Sequence, residues 1–580
     1  MLAFPVAKTV MRLPALLALS ISSLLLFAAC NRAPTPETEV AAPSAAPAKP
    51  APVVPTSDDM TTAAITAEDF AARLKRMSSD EFEGRKPGTL GERLTTAWLI
   101  DQFTQMGVKP GNKGEWLQAV PMVEARVNDQ DKVKLSVKAA NDATADFAFD
   151  SEMVVGSLDN TPSIDLKDSD LVFVGYGVNA PEQNWNDYAG LDVKGKTVIV
   201  LVNDPGWGNQ DPNLFKGRTL TYYGRWVYKY EEAARQGAAA AFIVHDTDAA
   251  AYPWQVVQNS WRGDRQSLPA SEDPAPRLKV AGWLTTDSAR RLFSTAGKDF
   301  DALKASADLP GFKPSELDAS LSTAFTSSVK TSSSQNVIGK IKGSERPDEV
   351  VVYSAHWDHF GKDESLSGDQ ILNGAVDNGS GIAGLLEIAE AFAKQPTPPK
   401  RSVVFAAFTL EEAMLLGSQY YVAHPTFALD KTVANINMDA LLMIGPTRDL
   451  TVLGLGQSEM DDLIKVETDA QGRTIHAEDA PEKGFFFRSD HLNFARAGVP
   501  ALYASTGVDL IDGGVEKGRA LSADYVTNHY HKPSDEYDPN WDFRGVVQDL
   551  QTIYTVGSKL ADATTFPAWK PGSDFKRPVK

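Results

Sequence analysis

Two carboxylates stand side by side at Glu411-Glu412, and His356-Trp357-Asp358 places a histidine and an aspartate one residue apart. Asp377 sits in the turn-like run Gly374-Ala375-Val376-Asp377-Asn378-Gly379-Ser380-Gly381, Asp439 follows Asn435-Ile436-Asn437-Met438, and His531 lies in Asn528-His529-Tyr530-His531-Lys532-Pro533. Imidazole nitrogens and carboxylate oxygens are donors for divalent cations. One such residue after an apolar run is ordinarily a turn residue or a hydrogen-bonded core group. Five segments together are harder to explain that way, because crowded carboxylates repel unless a cation neutralises them. The collective pattern favours a two-metal site.

The surrounding elements explain how distant segments could meet. Apolar runs at 350–354, 403–408 and 433–438 read as strands, and 382–393 and 458–468 read as helices. This alternation predicts an α/β domain with a mixed, mostly parallel sheet flanked by helices. Ligands then gather at the carboxyl ends of the strands, where the acids and histidines stand. Two helices are expected upstream. Thr66 with Asp69 and Thr89 with Glu92 have capping-box spacing, and Gly107 suits a left-handed helix end. Between about 130 and 330 the texture shifts to strands and Gly-rich turns, with one helix at 228–237, as in a self-contained α/β unit. No internal repeat is evident.

The series His356-x-Asp358, Asp377-Asn378-Gly379-Ser380-Gly381, Glu411-Glu412 with Leu416-Gly417-Ser418, Asp439, Ser489-Asp490-His491 and Tyr530-His531 resembles the co-catalytic di-zinc aminopeptidase family of the MH clan. The stretch Glu81-Phe82-Glu83-Gly84-Arg85 is similar to the same region of bacterial members. Leu191-Asp192-Val193-Lys194-Gly195-Lys196 and Ala233-Ala234-Arg235-Gln236-Gly237-Ala238 resemble a protease-associated domain inserted into the catalytic one. The resemblance implies that Asp377 bridges two zinc ions, that His356 and Asp439 complete one, and that Glu412 and His531 complete the other. It also implies Glu411 as general base and Tyr530 as a hydrogen-bond donor to the oxyanion, although Tyr530 also reads as a buried tyrosine with a structural partner. The implied activity is exopeptidase, most simply aminopeptidase. Carboxypeptidase-type and glutaminyl-cyclase-like relatives are the alternatives, and a non-catalytic binding lipoprotein is a further one.

Glu411-Glu412 reads either as a strand end turning into a helix, where neighbouring acids can converge on a metal and its water, or as a helix first turn that favours acids. Around this set, Asp358 reads either as an orienter of the His356 imidazole or as a turn residue. Phe485-Phe486-Phe487 and Arg488 read either as a substrate pocket with a carboxylate-gripping arginine or as packed chain with a solvated one. His359, His491 and His529 are expected behind the ligands or in the pocket wall, and His245, His424 and His476 as structural residues.

Across 580 residues, 57 Lys and Arg face 76 Asp and Glu, for a formal charge of −19. With no basic cluster of five or more, this balance removes nucleic acid as a partner and leaves peptides as the expected substrates. Lys8 and Arg12 precede an apolar run at 13–29, the pattern of an export signal. The run stops at Cys30, the only cysteine, and Phe27-Ala28-Ala29-Cys30 resembles a lipoprotein processing site, with Phe27 where leucine is commonest. No internal disulfide can form, so any metal must be held by His, Asp and Glu. The expected organisation is a signal at 1–30, a Pro/Ala-rich tether at 31–65, catalytic segments at 66–130 and 331–580, and the inserted unit at 131–330. The expected location is the cell envelope or periplasm, with membrane contact through a lipidated Cys30 at most.

Overall fold

A computed structural model describes residues 64–577. The expected signal, the lipidation site at Cys30 and nearly all of the tether lie outside the described residues. Among the described residues, no helix is long and apolar enough to cross a membrane.

Four parallel strands form the centre of the catalytic sheet, in the order Arg401–Phe408, Arg346–His356, Thr432–Asn437, Ala501–Thr506. Ser315–Ile341 adds antiparallel on one side and Asp449–Val452 on the other, which makes the sheet mixed. The side chains alternate across it as a strand requires. Val351, Tyr353 and Ala355 face one core with Phe70, Leu74, Trp98 and Ile382, whereas Val350 and Val352 face another with Val404 and Phe494. Helices Ala67–Met77, Leu90–Met106, Gly381–Ala393 and Arg544–Asp562 contribute to the first core. Burying both faces makes the central strands read as continuous apolar runs.

The upstream helices start and stop as their caps dictate. Thr66 Oγ1 accepts the Asp69 amide at 3.1 Å, and Thr89 Oγ1 accepts the Gly91 amide at 3.1 Å. Gly107 closes the second helix at φ 88°, a conformation that costs glycine little.

A second core gathers residues between Val127 and Phe325. Its parallel strands Thr197–Leu201, Ala240–His245 and Val280–Thr285 pack with helix Trp226–Arg235, two residues earlier than the expected 228–237. The 27-residue strand Ser315–Ile341 joins the two lobes. Its first part pairs with Lys134–Ala139 and Ser163–Phe173, its middle with Leu117–Val127, and its last residues with Arg401–Phe408. It therefore crosses position 330 without a break.

Candidate metal centre

The sheet delivers the candidate ligands to one edge. Arg346–His356 ends on His356, Asp439 follows Thr432–Asn437 by two residues, and Asp377 lies just before helix Gly381–Ala393. Asn378 ties two of these segments together. Its Oδ1 accepts the Gly381 and Ala440 amides at 2.9 and 3.2 Å, and its Nδ2 donates to the Met438 carbonyl at 3.0 Å.

Glu411 and Glu412 are placed differently from expectation. The sequence suggested a strand turning directly into a helix, but the strand ends at Phe408 and the next helix begins at Leu416. Leu410, Met414 and Leu415 have φ of 56°, 75° and 63°, left-handed conformations that a continuing helix cannot contain. The two acids therefore project from an irregular turn rather than from a helix first turn.

Asp377 presents one oxygen to each of two histidines. Its Oδ1 is 3.3 Å from His356 Nε2, and its Oδ2 is 3.0 Å from His531 Nε2. His356 Nε2 is also 3.3 Å from Asp439 Oδ1 and 3.9 Å from Glu411 Oε2; His531 Nε2 is 3.3 Å from Glu412 Oε2. One compact donor group contains His356, Glu411 and Asp439, and another contains His359, Asp377 and Glu412. His359 is thus closer to the centre than the sequence suggested, with Nδ1 2.6 Å from Glu412 Oε1. The Nε2 atom of His359 is buried with no hydrogen-bond partner, and that of His531 faces only the carboxylates of Asp377 and Glu412. An orphaned nitrogen beside crowded carboxylates suits a cation, and the His and carboxylate set matches zinc's preferences.

Charge and burial act strongly on one another here. Burial, followed by the charges of Asp439 and Glu412, raises Glu411 well above the ordinary carboxylate range despite the opposing effect of His356. Burial and Asp377 raise Glu412 likewise. Burial also raises Asp490 to about 7. For Asp377 burial is outweighed by the His356 and His531 hydrogen bonds, and its value falls well below the ordinary one. Burial is similarly outweighed at His531, where Glu412 and Asp377 lift the imidazole to about 9, whereas burial lowers His359 to about 3.

The residues behind the ligands depart in part from expectation. Asp358 lies past the end of its strand, and its backbone carbonyl oxygen is 3.2 Å from His356 Nδ1. Its carboxylate, 3.8 Å from that nitrogen, instead accepts the Glu411 amide at 3.1 Å. It positions both the imidazole and the acidic turn. Tyr530 is 39% exposed and stacks on the His531 ring at 3.7 Å. His491 is fully buried against Phe486 and Tyr503. His529 does not join the centre; its Nδ1 lies 3.0 Å from the Ser534 carbonyl oxygen and so braces its own loop. Among the others, His245 meets the Tyr252 carbonyl, His424 pairs with Glu272, and His476 with Asp449. Arg488 is half-buried over Phe485, 5.2 Å from the ring centre, and donates to the Lys483 carbonyl at 2.7 Å.

Two supports had no local sequence signal. Asp535 accepts the Val376 and Asp377 amides at 2.9 and 3.1 Å and faces the Tyr525 hydroxyl at 3.2 Å. Arg85, 1% exposed, donates to the carbonyls of Trp357, Met77, Asn373 and Gly374. It holds the chain after His356 against the chain before Asp377. The Glu81–Arg85 resemblance marked the region without giving this reason.

Residues 336–554 match the model of peptidase family M28, a span that contains every ligand candidate, Glu411 and Tyr530. The aminopeptidase NAALADL1 of Mus musculus is 33% identical over 138 residues, covering 22% of this chain and 17% of that protein. A glutamate carboxypeptidase 2 homolog of Caenorhabditis briggsae is 34% identical over 307 residues, 47% of this chain and 37% of that protein. Aminopeptidase YwaD of Bacillus subtilis is 28% identical over 214 residues, 35% and 40% of the respective chains. The match spans less than half the length of each relative. Among solved structures, the aminopeptidase from Aneurinibacillus sp. strain AM-1 aligns with 89% of this chain and 97% of its own at 19% identity, with a TM-score of 0.46. The similarity to peptidase family M28 thus covers the part of the chain that holds the candidate metal centre.

Proposed function

We propose that this protein is a zinc-dependent exopeptidase, an aminopeptidase that removes N-terminal residues from peptides at a two-zinc site. The placement of Asp377, with one carboxylate oxygen toward His356 and the other toward His531, is the observation that carries the reading. Asp377 would bridge the ions, His356 and Asp439 would hold one, and Glu412 and His531 the other, with His359 steadying Glu412. Bound zinc would supply Lewis acidity to the attacking water and the scissile carbonyl.

The chain's own groups supply the remaining steps. Glu411 takes the water's proton and returns it to the leaving amine, a task suited to a carboxylate whose proton affinity is raised by burial and by neighbouring acids. Tyr530 donates a hydrogen bond to the developing oxyanion. Partial burial and the charges of Asp377 and Glu412 keep its phenol protonated. Asp535 and Arg85 hold the loops in register, since small displacements of catalytic groups are expensive.

The separate core between Val127 and Phe325 is compatible with a protease-associated domain at 131–330. The N-terminal pattern supports export and tethering through Cys30 at the cell envelope or periplasm.

The test is to incubate zinc-loaded protein with free and end-blocked peptides and identify the shortened end by mass spectrometry. Loss of single residues only from free amino termini, abolished by a chelator, is expected. Shortening from the carboxyl end would replace the aminopeptidase reading with a carboxypeptidase one. Glu411→Gln should keep its zinc while kcat falls roughly 10²–10⁴-fold, the range of a general base; full turnover would remove Glu411 from the mechanism.

A further inference from the structure

The arm that carries Tyr530 and His531 has little packing of its own. Across residues 511–534 only Gly518 and Tyr525 are buried, and Gly518 is the one buried residue of helix Gly514–Asp524. Its side chains bond mostly within the arm. Lys517 donates to the Asp512 carbonyl at 3.2 Å, Asn528 to the Asp524 carboxylate at 2.7 Å and Lys532 to the Thr527 carbonyl at 2.6 Å. Arg519 does reach Asp479 at 2.7 Å, but both side chains are about half exposed, and such a pair holds weakly. A segment held in this way opens locally at low cost. The groups it carries nevertheless need accurate placement, since small displacements of catalytic groups are expensive.

Tyr525 supplies the fixed point. Its hydroxyl donates to Asp535 Oδ2 at 3.2 Å, and the same oxygen accepts the Asp377 amide at 3.1 Å. The other oxygen of Asp535 accepts the Val376 amide at 2.9 Å. On its main-chain side, the Tyr525 carbonyl accepts the Tyr530 amide at 2.9 Å. The two tyrosine rings lie 6.1 Å apart, and Tyr530 in turn stacks on His531 at 3.7 Å. Hydrogen bonds therefore run from the Asp377 amide through Asp535 and Tyr525 to the Tyr530 amide, bypassing the exposed helix.

We infer that Tyr525 is a positioning residue: its hydroxyl, anchored on Asp535, fixes Tyr530 relative to Asp377 and so aims the hydrogen bond that Tyr530 gives to the oxyanion. This inference rests on the exopeptidase reading, in which Tyr530 is that donor. A tyrosine that merely fills the core would affect stability without acting through Tyr530.

The test compares zinc-loaded wild type, Tyr525→Phe, Tyr530→Phe and the double variant in steady-state kinetics and in limited digestion with trypsin. Phenylalanine keeps the ring and removes only the hydroxyl. Tyr525→Phe should lower kcat about tenfold or more and leave KM within about twofold. In the double variant the further loss beyond Tyr530→Phe should be about twofold at most, because the aim of an absent hydroxyl no longer matters. Trypsin should cut after Lys517 or Arg519 faster in Tyr525→Phe than in wild type, with the cut mapped by mass spectrometry. An unchanged kcat, or a loss that recurs in full on the Tyr530→Phe background, would overturn the assignment. Should wild type cleave no peptide, the exopeptidase reading fails separately. The digestion then decides whether Tyr525 pins the arm: faster cutting in Tyr525→Phe supports it, and equal rates overturn it.

Discussion

Replacing Arg85 with methionine tests whether the metal loops are held from behind. The substitution retains a long apolar stem but removes the donors to Trp357, Met77, Asn373 and Gly374, with the Trp357, Met77 and Gly374 contacts at 2.8, 3.0 and 2.9 Å. A hydrogen bond to a charged group contributes about 1.5–3 kcal/mol, and each carbonyl left buried and unpaired costs about 1–3 kcal/mol. These terms describe the same contacts from two sides, so they do not add. Removing a charge that burial already disfavours also returns part of the cost, and Arg85 is indeed lowered to about 10 by its burial. The net expectation is about 3–5 kcal/mol, the usual loss when one partner leaves a buried charged network. At roughly 2–4 °C per kcal/mol for a domain of about 200 residues, the catalytic lobe should melt roughly 6–20 °C lower. Thermal unfolding followed by near-ultraviolet circular dichroism, with zinc content measured on the same samples, provides the assay. A melting temperature within about 2 °C of wild type and undiminished zinc would refute the claim that Arg85 holds the two loops. Gly84→Ala offers an independent perturbation. At φ 66°, an added Cβ would lie 2.5 Å from the Leu372 carbonyl oxygen and 2.6 Å from that of Gly361, so it should push the same segment away.

Three other outcomes are expected. Tyr530→Phe should retain zinc and lose roughly 10²-fold in kcat, as when one oxyanion donor is removed; an unchanged kcat in steady-state kinetics would leave Tyr530 only its stacking role. Asp377→Ala should lose both metals because it faces both histidines, and elemental analysis finding two zinc ions per chain would rule out a bridging carboxylate. The Asp449 hydrogen bond raises His476 above its ordinary 6.5, so the pair's stabilisation is fully present below that pH and disappears as pH rises through the folded-state value. His476→Gln should therefore lower the melting temperature more at pH 5.5 than at pH 9, and an equal decrease at both would contradict the linkage.

The residues brought together at the sheet edge were legible because a parallel sheet converts sequence order into common position. His356, Asp377 and Asp439 each come at or shortly after an apolar run or before a helix, where this architecture collects polar groups. The caps at Thr66 and Thr89 were legible because a side-chain oxygen and an amide two or three residues away suffice to define them. Arg85 and Asp535 lacked such local information. Their partners stand at Trp357 and Gly374 in one case and at Val376 and Asp377 in the other, contacts that only tertiary packing creates. The acidic turn was misread because helix-start chemistry and the left-handed backbone at Leu410, Met414 and Leu415 leave similar residue types in the sequence. Ser315–Ile341 is difficult for another reason. Its neighbours change from one lobe to the other, so no single pattern of alternation describes all 27 residues.

The adjacent acids combine two opposing electrostatic demands. A metal ligand must give up its proton, whereas a general base must accept one from water and later release it. Both Glu411 and Glu412 are buried and pushed above the ordinary carboxylate range, so burial alone does not assign their roles. Their neighbours differ. Glu412 lies between two histidines, with Oε1 2.6 Å from His359 Nδ1 and Oε2 3.3 Å from His531 Nε2. Glu411 has a more distant histidine contact, at 3.9 Å, and its main chain is held by Asp358. A cation arriving between Asp377, Glu412 and His531 would displace protons from the acid that stands between the two histidines, while the one with the more distant histidine contact keeps the freedom to exchange a proton. The irregular turn that the sequence disguised as a helix start lets two consecutive residues meet these different requirements.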